Sequence, residues 1–101
     1  MSDELDALRV KIDEIDAGLI ALLGERFKLT RRVGQLKASS GLASLDTTRE
    51  NAQNERFAQL AKAADVDGEL VQRVFDEVRA AVRAEHEMVD GRAQSHPSVN
   101  H

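Results

Sequence analysis

From Leu5 to Leu36 the apolar residues of this chain keep a seven-residue schedule: Leu5, Leu8, Ile12, Ile15, Leu19, Leu22, then Leu29, Val33 and Leu36. Apolar residues three and four apart fall on one stripe of an α-helix. No proline interrupts the run, so the spacing predicts a single helix from about Asp3 to Lys37, on the order of 50 Å long at a rise of about 1.5 Å per residue. Gly18, Gly24 and Gly34 each weaken it by about 1 kcal/mol against alanine. A rod of that length cannot be covered by what remains of a 101-residue chain, and a domain of this size buries only about two thirds of its unfolded surface. An amphipathic helix must bury its stripe against something, so the pattern alone predicts a dimer.

The rest of the chain reads as helix too. Ala, Leu, Val, Glu, Arg and Asp dominate, while Phe occurs three times, Pro once, and Trp and Tyr not at all, a composition that favours helix and argues against a β-fold. Residues 38–46 are small, polar and glycine-containing, a loop. Thr47 followed by Glu50 is a capping-box pattern that starts a second helix with Phe57, Leu60, Ala61 and Ala64 inward. Asp65 to Gly68 form a turn, in which Asp67 is the N-cap of a third helix. Its inner positions are Leu70, Val71, Val74, Phe75, Val78 and Val82, and it is expected to end near Met88. The expected architecture is all-α: one long and two shorter helices in one domain over residues 1–90. A polar tail, residues 91–101, is expected to be disordered. No internal repeat is present.

Charge and composition exclude several functions. A formal net charge of −4 argues against nucleic-acid binding, which needs a basic face. Without cysteine there are no disulfides, no thiol catalysis and no cysteine metal site, and no metal or cofactor is expected. The acidic start Met1-Ser2-Asp3-Glu4 lacks the pattern of a signal peptide. No run approaches the roughly 20 apolar residues that span a membrane, so a cytoplasmic protein is expected.

One position breaks the apolar schedule, and Arg26 fills it. A charge facing a core is costly unless paired. Either Arg26 pairs with an acid such as Glu25, Glu50 or Glu55, or bends out to water, or meets an anionic ligand. Arg9 and Lys37 share a heptad slot 28 residues apart, about 42 Å along a straight helix. They cannot touch one small molecule within a subunit. If two copies of the long helix pair antiparallel with full overlap, their common centre falls near Ile20 and Arg9 lies opposite about position 31 of the other copy. That position is midway between Arg26 and Lys37, which are 11 residues apart, or about 16 Å of rise. Such pairing would gather Arg26, Lys37 and a borrowed Arg9 around a small dianion, twice per dimer. Each cation taken singly also fits a solvated helix face.

The run Leu8-Arg9, Ile12-Asp13, Ile15-Asp16, Leu22-Leu23, Glu25-Arg26, Val33-Gly34 and Lys37, followed by Asp46 and Arg49-Glu50, resembles the all-helical class of chorismate mutase, over roughly residues 5–88. The resemblance implies an intertwined three-helix homodimer with two shared active sites. The implied reaction is the rearrangement of chorismate, a small dicarboxylate, to prephenate in aromatic amino acid biosynthesis, without a cofactor. Arg26 and Arg9 of the partner subunit would grip the carboxylates, and Lys37 would reach the ether oxygen. Glu50, with Asp46 close by, would accept from the ring hydroxyl; Glu50 also fits the capping box. Arg49 would add positive potential or stay solvated. Val33 and Val82 would stand among the substrate contacts. Where many members carry a glutamine that donates to the ether oxygen, this chain has His86, with Glu85 beside it; histidine can take that role, more strongly when protonated.

Arg79 and Arg83 stand where more apolar or neutral residues are expected. The same scaffold therefore also admits an isochorismate pyruvate-lyase, a 4-amino-4-deoxychorismate mutase, or a non-catalytic helical dimer that senses such metabolites. An activating partner enzyme is compatible with the resemblance.

Overall fold

A computed structural model of the chain describes residues 2–41 and 47–99, with side chains as far as Met88. Three helices make it up: α1 (Ser2–Ser40), α2 (Thr47–Ala63) and α3 (Gly68–Val99), with no strand among the described residues. α1 has 39 residues and is about 58 Å long. α3 packs against both α2 and α1. The molecule measures 64 × 33 × 17 Å with a radius of gyration of 18.5 Å, against about 13 Å for a compact chain of 100 residues.

Local chemistry explains the helix boundaries. Gly41 follows α1 with φ 72°, a left-handed conformation that glycine takes without steric cost. Asp65 closes α2 in the same region, with φ 58°. Around it the Asp65 amide donates to the Lys62 carbonyl at 3.2 Å and the Val66 amide to the Ala61 carbonyl at 2.9 Å. These are the paired bonds of a Schellman motif, which satisfy carbonyls that the helix leaves open. α3 then opens on its N-cap: Asp67 Oδ1 accepts the Glu69 amide at 3.0 Å, and the Asp67 carbonyl accepts the Val71 amide at 3.1 Å.

The third helix runs to Val99, past the end near Met88 that the sequence pattern suggests and into the segment expected to be disordered. Glu87, Met88, Arg92, Ala93 and Gln94 are good helix formers, and their propensity carries the backbone onward where the apolar periodicity stops.

The core within one chain is slight. Ala61 and Val78 are its buried apolar residues. Beside them Phe57 of α2 stacks on Phe75 of α3, with ring centroids 4.1 Å apart and planes at 21°. Leu60, Leu70 and Val74, placed inward by their periodicity, are exposed. So is the whole stripe of α1, from Leu5 at 47% through Ile15 at 62% to Leu29 at 68%. The helix that most defines the fold therefore has no buried residue of its own.

Two substitutions test the boundary chemistry in opposite directions. Asp65→Gly is expected to raise stability by up to about 1 kcal/mol, by relieving a left-handed non-glycine residue. Asp67→Ala is expected to lower it by about 1 kcal/mol, by removing the cap. Urea unfolding of both variants beside the parent checks the two signs.

Candidate functional site

A cavity of about 350 Å³ opens where the three helices meet. α1 contributes Arg26, Leu29, Thr30, Val33 and Lys37; α2 contributes Arg49, Glu50 and Gln53; α3 contributes Arg79, Val82, Arg83 and His86. On each helix these residues are spaced mostly three or four apart, so each set forms one face. The lining brings together five cationic side chains and one carboxylate, Glu50.

Arg26 is central. Its Nη1 is buried with no hydrogen-bond partner among the described residues, and its Cζ stands 5.5 Å from the centroid of the Phe75 ring, within cation–π range. None of the acids weighed as partners, Glu25, Glu50 or Glu55, forms an ion pair with it. Burial, with repulsion from Arg79 and Arg49, pushes its guanidinium below the usual arginine range. An arginine still holds its proton at neutral pH, so the crowding persists as repulsion that an incoming anion would relieve.

Arg79 is buried, at 8% exposure. Its Nη1 donates to Asn54 Oδ1 at 2.7 Å. Its Nη2 donates to Gln53 Oε1 at 3.0 Å and to the Glu50 carbonyl at 3.4 Å. Arg83 Nη1 lies 3.4 Å from Glu50 Oε2, so the carboxylate at the start of α2 is turned toward α3. Glu85 is drawn away: its Oε2 pairs with Arg31 Nη2 at 3.1 Å and accepts from Arg31 Nε at 3.3 Å, and it does not line the cavity.

His86 does line it. Its Nε2 sits 3.0 Å from the Thr30 carbonyl. A carbonyl only accepts, so Nε2 carries the hydrogen; Nδ1 is then an acceptor in the neutral ring and a donor once the ring is protonated. Gly34 makes this seat available, because a Cβ at position 34 would stand 2.6 Å from His86 Nε2.

Of the residues selected from sequence, Arg26, Val33, Lys37, Arg49, Glu50, Val82 and His86 all face this cavity. Arg9 does not: it lies on the exposed N-terminal part of α1, 17 residues before Arg26, or about 25 Å. Asp46 lies outside the described residues. Thr30, Leu29 and Gln53 were missed; Gln53 is one turn after Glu50 on the same face, a spacing that could have marked it.

The chorismate mutase type II family model matches residues 8–87. The chain belongs to that family. It is 33% identical over 75 residues to a chorismate mutase of Methanocaldococcus jannaschii, a match that covers 74% of this chain and 76% of that one. It is 41% identical over 69 residues to the bifunctional chorismate mutase/prephenate dehydratase of Escherichia coli strain K12, covering 68% of this chain and 18% of the larger enzyme. An intracellular chorismate mutase of Mycobacterium tuberculosis strain H37Rv is 35% identical over 57 residues, covering 56% of this chain and 54% of that one. The span common to the chorismate mutase family takes in every site residue named above.

The contact between α1 and α3 at Gly34 is directly testable. Gly34→Ala is expected to eject the His86 imidazole from its seat while leaving the helix as stable or more so, since alanine gains about 1 kcal/mol over glycine in a helix. The ring resonances of His86 by NMR, read beside the melting temperature, check this: the resonances move and the fold persists.

Proposed function

We propose that the chain is a chorismate mutase that works as a homodimer with shared active sites in the cytoplasm, converting chorismate to prephenate. The observation that carries this reading is a buried, unpartnered Arg26 Nη1 in the same cavity as Lys37, Glu50 and His86, within a chain of the chorismate mutase family.

The reaction is a concerted, intramolecular shift: an ether carbon–oxygen bond breaks as a carbon–carbon bond forms, and negative charge grows on the ether oxygen. What a protein can supply is a folded substrate conformation and donors placed where that charge appears. The planar guanidinium of Arg26 matches a carboxylate bidentately. Lys37, a compact charge 11 residues further along the same face of α1, donates to the ether oxygen. Glu50 accepts from the ring hydroxyl while its other oxygen stays on Arg83, and Asp46 precedes it in the chain. Val33 and Val82 give the ring an apolar wall, and Arg49 adds positive potential. His86 supplies Nδ1–H toward the ether oxygen when protonated.

Arg9 completes the site from a second copy. The exposed stripe of α1 supports pairing with a second long helix, and antiparallel is the orientation that would bring Arg9 to the other copy's Arg26 and Lys37. Residues 1–90 form the functional unit in this reading, in keeping with a family match that ends at residue 87, and residues 91–101 form a tail outside it. No helix among the described residues is long and apolar enough to cross a membrane. Docking to another enzyme of the pathway is in keeping with the Escherichia coli relative, where the name pairs a mutase with a dehydratase in one chain.

The Arg83–Glu50 contact and the presence of His86 motivate a second reading on the same scaffold, in which the substrate is isochorismate or 4-amino-4-deoxychorismate, or the dimer senses these acids without turning them over. Steady-state assays on the three substrates separate these outcomes. Chorismate is expected to have the highest kcat/KM; a higher value for a relative overturns the choice of substrate, and tight binding without turnover of any overturns catalysis.

Two variants probe the mechanism. Lys37→Ala is expected to lower kcat by about a hundredfold or more at unchanged fold, the scale of losing one donor to developing charge; a near-normal kcat removes Lys37 from that role. Arg9→Ala and Lys37→Ala chains, each inactive alone, are expected to regain activity when mixed and allowed to exchange, because each heterodimer then holds one complete site of two. Verified exchange without recovery contradicts the shared site.

A further inference from the structure

Among the described residues the guanidinium of Arg79 has one acid within ion-pair reach, Asp76, and that pair is long and open to water. Its side chain is 9% exposed, and its three hydrogen bonds all go to neutral acceptors: Asn54 Oδ1, Gln53 Oε1 and the Glu50 carbonyl. Its Nε is buried with no hydrogen-bond partner among the described residues. The carboxylate nearest to it, that of Asp76, is 4.0 Å from Nη1 and is itself 59% exposed; its Oδ1 already accepts from the Gln72 amide at 2.9 Å. A buried charge held mainly by neutral dipoles is costly, and the exposed Asp76 at 4.0 Å offsets this one only weakly.

The same residue is coupled to Arg26. Arg79 Cζ lies 5.3 Å from the Phe57 ring centroid and Arg26 Cζ 5.5 Å from that of Phe75, while the two rings stack at 4.1 Å. Each guanidinium thus covers one ring of a stacked pair, and neither can turn out to water without uncovering phenylalanine. Two like charges are held where they repel. Glu50, the one carboxylate of the lining, is engaged by Arg83 at 3.4 Å, which leaves most of the offset to a ligand.

We propose that Arg79 is a specificity-determining residue that sets the charge of the ligand, selecting a dianion over a monoanion of the same shape. This rests on the reading of the cavity as a dicarboxylate site and deepens it. A ligand with one negative charge can satisfy Arg26 or offset Arg79 but not both, whereas a dicarboxylate does both. Asn54 and Gln53 hold the guanidinium in place beforehand, so its field costs no reorganisation when the ligand arrives. Arg79 acts through this field and through the position of Arg26, not by bonding the reacting atoms. It is a selecting and positioning residue.

Titration calorimetry with a stable cyclic dicarboxylate of the substrate's size and with its monocarboxylate counterpart tests this on the parent, Arg79→Met and Arg79→Lys. Arg79→Met is expected to weaken dicarboxylate binding by about tenfold or more, with the monocarboxylate changed far less, and Arg79→Lys is expected to keep most of the preference. Equal losses for both acids assign the residue a merely structural role and overturn the inference, as do unchanged affinities in Arg79→Met. Should Arg79→Met fail to fold, Arg79→Lys decides alone: it supports the inference by keeping the preference for the diacid and overturns it by losing that preference. A parent protein that binds neither acid overturns the reading of the cavity as well, whereas a parent that binds the diacid with indifferent variants overturns this inference alone.

Discussion

An apolar stripe that runs the length of a helix of about 58 Å has to be covered, and within this chain it is not. α2 and α3 together offer Ala61, Val78 and a stacked phenylalanine pair as a core, too little to hold a small domain against the entropy of folding. Burial of the stripe by a second copy is the one constraint on which the proposed site depends. In the proposed dimer an antiparallel partner would supply an equally long apolar face and would carry Arg9, stranded on its own chain, to the Arg26–Lys37 region of its neighbour. Stability and the completeness of the site would then have one cause.

The second theme is the concentration of like charge. Five cations face one cavity with one carboxylate among them, and the two most buried guanidinium groups, those of Arg26 and Arg79, each have a donor with no partner among the described residues. Burial, with repulsion from Arg79 and Arg49, lowers the proton affinity of Arg26. Such an arrangement is unfavourable in the ligand-free protein, and strain of this kind is characteristic of functional sites. An anionic ligand relieves it, so part of the affinity is built into the folded chain before the ligand arrives. The same electrostatics suit a rearrangement in which charge accumulates on an ether oxygen and little else is asked of the protein.

Much of this was legible in the sequence, for physical reasons that can be named. The heptad schedule is a direct record of helix geometry and placed α1 to within a turn. Thr47 and Asp67 marked the starts of α2 and α3 because capping chemistry is local. Arg26 stood out as a charge in an apolar seam, and its Nη1 is buried with no hydrogen-bond partner among the described residues. What was not legible depends on contacts distant in sequence. The pairing of Glu85 with Arg31, which leaves His86 on the cavity, joins residues 54 positions apart. The burial of Arg79 depends on Asn54 and Gln53 across the helix pair, and periodicity gave no sign of it. The end of α3 was misplaced because backbone propensity continues where the apolar pattern stops.

Sedimentation equilibrium at the micromolar concentrations of an activity assay tests the central claim most directly. A single species of twice the 11.1 kDa chain mass is expected, with or without a bound dicarboxylate. A species of chain mass that nevertheless binds the dicarboxylate and turns chorismate over would contradict it.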